Sequence, residues 1–93
     1  MMRNLQMSNV RVIKMINGEE IVAKVKSENE DIVTVEKPAI VMMAPGDNGN
    51  MSVQMGPYCP YTDDPLPIGK HVVVYMVNPN TELLNGYNKA FGS

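Results

Sequence analysis

Hydrophobic and polar residues alternate along much of this chain, and the clearest alternation brackets an Asn-Gly pair. From Val12 to Val25 the sequence reads V-I-K-M-I-N-G-E-E-I-V-A-K-V. Two runs of β-formers around such a dipeptide predict a hairpin. A two-residue loop at Asn17-Gly18 would pair Met15 with Glu20 and Lys14 with Ile21, mixing charge and hydrocarbon on both faces. An odd-length loop instead puts Ile13, Met15, Ile21, Ala23 and Val25 on one face. Lys14, Glu20, Val22 and Lys24 then share the other. The odd loop is therefore expected, with Gly18 in the left-handed region.

The remaining pattern supplies further strands and one helix. The first two strands are expected at about Val10 to Ile16 and Glu19 to Lys26, and a polar turn, S-E-N-E, follows at 27–30. A third strand starts at Asp31, is interrupted by Pro38 at an edge or bulge, and continues through Ala39 to Met43. After a loop at 44–50, Met51, Val53 and Met55 mark a fourth strand. The proline-rich stretch from Gly56 to Gly69 is expected to be irregular, excluded from central strand or helix. The fifth strand, His71 to Val77, is apolar on both faces, which suits a subunit contact or a surface beneath a helix. Leu83, Leu84, Tyr87 and Phe91 then recur at helical spacing, with start signals at Pro79, Asn80 and Thr81. Leu5 and Met7 either extend the first strand or belong to a loose arm.

Size and composition narrow the function classes. Ninety-three residues make one domain (1–93), a small all-β version of which would gain from oligomerisation. Cys59 and His71 are each the single residue of their type, so neither an internal disulfide nor a zinc site is expected. No nucleophile neighbours the histidine and no carboxylates pair at a telling spacing, so an enzyme is not expected, nor a cofactor. No apolar run is long enough to span a bilayer and no signal-peptide core precedes the first strand, so the expected location is the cytoplasm, with no membrane partner. A net charge of −2 argues against bulk electrostatic capture of nucleic acid; any such binding must come from a local or repeated cluster of cations. Nine methionines against one phenylalanine point to a core filled with flexible aliphatic volume, in preference to methionines lining an adaptable binding surface.

The hairpin residues Met15, Asn17-Gly18, Ile21, Ala23 and Val25 resemble the first motif of the Sm/LSm family, most nearly its bacterial Hfq type. Lys70-His71-Val72-Val73 is similar to the Lys-His pair at the turn into that type's last strand. The resemblance implies a small five-stranded, strongly bent SH3-like (Sm-type) β-barrel over about 10–78, here with a C-terminal α-helix over about 80–91. It further implies a homo-oligomeric ring whose Lys70 and His71 face the pore and contact single-stranded RNA, or DNA. Four departures stand out. Ala23 replaces a glycine that lets the second strand bend, Val33 falls where the family reads a base with asparagine, and the usual Arg-Gly pair is missing. The helix also follows the strands instead of preceding them.

Asn29 falls near the position at which Sm proteins carry an aspartate, and so joins Lys70 and His71 as a candidate nucleic-acid contact. Tyr58 and Tyr61, in the proline-rich loop, either stack on bases or pack the loop against its own domain. Asp63-Asp64 reads as a solvated loop tip in preference to a metal site. Two functions follow as expectations: a ring that binds single strands in RNA or DNA processing or chaperoning, or a ring-forming structural adaptor making only protein contacts.

Overall fold

The computed structural model describes residues 9–46 and 48–92. Six antiparallel strands form one sheet: β1 (Val10–Met15), β2 (Glu20–Glu28), β3 (Ile32–Pro45), β4 (Met51–Pro57), β5 (Leu66–Gly69) and β6 (Val73–Val77). Their order is β4-β3-β2-β1-β6, with β5 also on β3. A 3-10 turn, Lys70–Val72, joins β5 to β6, and one short helix, α1 (Thr81–Tyr87), follows the sheet.

The β1–β2 hairpin has the odd loop. Ile13 pairs with Ile21 and Lys14 with Glu20, Gly18 lies at φ +94°, and its N–H donates to the Met15 carbonyl at 2.9 Å. Ile13, Met15, Ile21 and Ala23 thereby reach one buried cluster with Val33, Val35 and Ile68. Val22, across the sheet, joins Val10, Ala39 and Tyr87 in a second cluster. One sheet thus has apolar cores on both faces, each fully buried aliphatic side chain contributing about 1.5–3 kcal/mol.

Two irregularities bend the sheet. Val22 pairs with Ala39 and Lys24 with Glu36, so Lys37 and Pro38 of β3 stand opposite Ala23 alone. The bend that a glycine at 23 would ease is made on the partner strand instead. Lys37 absorbs it at φ +50°, a conformation costly for a side chain with a Cβ. A second register shift follows between Val25 and Ser27. Ile68 from β5 and Met76 from β6 pack on the same cluster, so the bent sheet brings β6 and the β5 edge of β3 to one core. Among the described residues no ladder joins β6 to β4 or β5.

Several sequence expectations need correction. Among the described residues the strands number six, because the proline-rich stretch contributes β5 and the end of β4. Pro67 is tolerated since β5 pairs with β3 on one side only, opposite Thr34. The last strand begins at Val73, two residues later than His71, because Lys70–Val72 coil into the 3-10 turn. The helix ends at Tyr87 and widens into a π turn, Asn88–Gly92. Asn80 caps it, its Oδ1 accepting the Leu83 N–H at 2.8 Å, worth about 1 kcal/mol. Leu5 and Met7 lie outside the described residues.

The helix stripe docks on the second cluster through Leu84, Tyr87 and Phe91, against Val41 and Met55. Tyr87 is fully buried, and its hydroxyl donates to the Lys37 carbonyl at 2.8 Å. The helix therefore clamps the bend of β3. It does not cover β6, where Val74, Tyr75 and Val77 remain exposed.

Candidate nucleic-acid interface

The 3-10 turn positions Lys70 and His71. Its first N–H, from Lys70, donates to the Asp31 carbonyl at 2.8 Å, and its last carbonyl, from Val72, accepts the Ile16 N–H at 2.7 Å. The turn is thus pinned between the β2–β3 and β1–β2 turns. Neither anchor is local in sequence; they exist because β5 pairs with β3 and β6 with β1.

Asn29 builds the neighbouring turn. Its Oδ1 accepts N–H bonds from Asp31 at 2.8 Å and Ile32 at 2.9 Å, and its own N–H donates to the Ile32 carbonyl at 2.9 Å. Asn29 is exposed, and the part of its side chain not used in the turn is the amide nitrogen, a donor. His71 is exposed and Lys70 half-buried. The fold therefore sets the 3-10 turn that carries Lys70 and His71 against the Asn29 turn.

The electrostatics of that surface are mixed. Lys70 Nζ forms an ion pair of 2.7 Å with Glu28 Oε2, and Glu30 and Asp31 stand on the same turn, both exposed. A phosphate approaching Lys70 meets a cation already partnered by a carboxylate. Sequence reading did not single out Glu28; within the polar turn S-E-N-E nothing local ties it to a lysine far along the chain.

The two tyrosines lie in different settings. Tyr58 packs on the first cluster, and its hydroxyl donates to Glu19 Oε1 at 3.0 Å. Burial, then that hydrogen bond and the Glu19 charge, raise its ionisation above the ordinary value near 10. Tyr61 is 91% exposed at the tip of the 58–65 loop. That loop overhangs a cavity of about 330 Å³ lined by Lys37, Cys59, Asp63, Asp64 and Phe91, apart from Lys70, His71 and Asn29. Among the described residues no group of three His, Cys, Asp or Glu side chains could hold a metal ion.

Val33, at the position of the family's base-reading asparagine, is buried in the first cluster and offers nothing to a base. Both sheet edges carry exposed hydrocarbon: Met51 and Val53 on β4, and Val74 and Val77 on β6. No helix among the described residues is long and apolar enough to cross a membrane. No family model matches the chain, and no curated protein matches it in sequence.

Proposed function

We propose that this chain is an Sm-like, ring-forming protein that binds single-stranded nucleic acid, RNA or DNA, in the cytoplasm. In this reading the bent sheet acts as a small SH3-like barrel, and copies join edge to edge between β4 and β6. Support for the first point is that β5 and β6, from opposite sides of the sheet, pack on one core. The second rests on the apolar residues along both edges, since unprotected edges invite pairing and a repeated edge contact can close into a ring.

One observation carries the functional part: the 3-10 turn sets Lys70 and His71 beside the Asn29 turn. Lysine supplies a phosphate contact, the imidazole a stacking face, and the asparagine amide a donor. Tyr61 offers a second ring from the loop, whereas the Tyr58 ring is engaged with the core. Repetition around a ring concentrates these groups although the chain as a whole is acidic. With Val33 buried, selectivity among bases is expected to be low.

The ion pair between Lys70 and Glu28 supports a second reading, in which the ring is a structural adaptor that touches only proteins. Titration with labelled oligo-U and oligo-A separates the two. The nucleic-acid reading predicts binding that weakens with salt and disappears in the Lys70→Ala/His71→Ala double variant while the oligomer persists. Equal binding by wild type and double variant would place the site elsewhere. Absence of binding in low salt would favour the adaptor.

A further inference from the structure

Gly69 has no conformational reason to be glycine. Its backbone lies at φ −66° and ψ 130°, where any L residue is comfortable. It sits at the end of β5 in register with Ile32, so neither a left-handed turn nor a bulge requires it. What a side chain at this position would meet is the imidazole of His71. A Cβ built on Gly69 would fall 2.5 Å from the His71 Cε1 and 2.7 Å from its Nδ1, and the next nearest atom is the ring's own Nε2 at 3.7 Å. The histidine ring folds back over residue 69 and occupies the space a β-carbon would fill.

From this we infer that Gly69 is a positioning residue for nucleic-acid binding: it provides the seat that orients the His71 imidazole on the 3-10 turn it shares with Lys70. The inference rests on the binding role proposed for Lys70 and His71. Its physical basis is that an exposed side chain otherwise samples several rotamers, and ordering it on binding costs affinity. A ring seated on the Gly69 backbone has less of that freedom to lose when a base arrives. The surrounding anchors reinforce this, because Lys70 N–H and Val72 carbonyl are both hydrogen-bonded to neighbouring turns. His71 therefore projects from backbone that is held on both sides.

Gly69→Ala should then displace the imidazole without disturbing the fold, since the colliding atoms belong to an exposed side chain with room to turn away and the backbone angles suit alanine. His71 is the one histidine of the chain, so its ring gives a single, assignable set of imidazole proton resonances. Two readouts decide the matter. In the free protein, Gly69→Ala should shift the His71 ring resonances while the melting temperature stays at the wild-type value or rises slightly. In titrations with labelled oligo-U, Gly69→Ala should weaken binding by about fivefold, the low end of what one base–ring stack contributes. In a His71→Ala background the same substitution should change affinity by less than about twofold, because the group it positions is gone. If Gly69→Ala leaves the ring resonances in place, or leaves affinity unchanged while His71→Ala lowers it, the positioning role is wrong and the binding site stands. If His71→Ala itself leaves affinity at the wild-type value, the histidine is no part of the site and the role assigned to Gly69 falls with it.

Discussion

Lys70 Nζ lies 2.7 Å from Glu28 Oε2, joining the last residue of β2 to the first residue after β5. The contact ties two chain turns together and competes with any phosphate for the same ammonium. Both side chains are about a third or more exposed, so the pair contributes no more than about 1 kcal/mol.

Removing the carboxylate while keeping its shape should release the cation. Glu28→Gln is expected to tighten oligo-U binding by up to about fivefold per site at low salt, the equivalent of that energy. The gain should shrink as salt rises, because screening weakens both the ion pair and the phosphate contact. Fluorescence anisotropy on wild type and variant checks this; weaker binding by Glu28→Gln would show that the pair organises the site instead of blocking it.

A second prediction concerns the clamp between helix and sheet. The Tyr87 hydroxyl donates to the Lys37 carbonyl from a fully buried position. Tyr87→Phe should cost about 1 kcal/mol at neutral pH, the usual net value of such a bond. Burial chiefly, with the Glu36 charge adding to it and a backbone hydrogen bond from Lys24 opposing, raises the Tyr87 ionisation above its ordinary value near 10. The unfolded chain therefore ionises first as pH climbs. This contribution is intact below pH 10 and lost as pH rises through the folded-state value. Urea midpoints should show the gap between wild type and Tyr87→Phe narrowing above pH 10. A gap of constant size would contradict the assignment.

Gly86 offers a stabilising substitution. It sits inside α1, where glycine is about 1 kcal/mol worse than alanine. A Cβ there would meet the terminal methyl of Met55 at 3.2 Å, a flexible group able to move by a few tenths of an ångström. Gly86→Ala should raise the melting temperature by roughly 4 °C, the low end for a domain of this size. A fall would mean that Met55 is locked by its neighbours in the second cluster.

Much of this architecture was legible in the sequence, for identifiable reasons. The hairpin register followed because only an odd loop separates the hydrocarbon of Ile13, Met15, Ile21 and Ala23 from the charges of Lys14 and Glu20, and the observed pairing keeps that separation. Pro38 did mark a bulge, and the helical stripe did find an apolar surface. What escaped depends on contacts between distant segments. The run L-P-I-G carries no strand pattern and becomes β5 because β3 presents an unpaired edge to it. Lys70 and His71 stood out as a pair, yet their placement in a 3-10 turn came from the anchors at Asp31 and Ile16. Glu28 and Gly69 had no local signal at all, since one acts through an ion pair across the fold and the other by leaving room.

The proposed function requires copies of the chain to join through their sheet edges, because one Lys70 cluster on an acidic monomer is a weak site. Light scattering during size exclusion measures this most directly. For a chain of 10.3 kDa the prediction is a single species of several times that mass, unchanged on dilution through the micromolar range. A homogeneous peak at the monomer mass would contradict it.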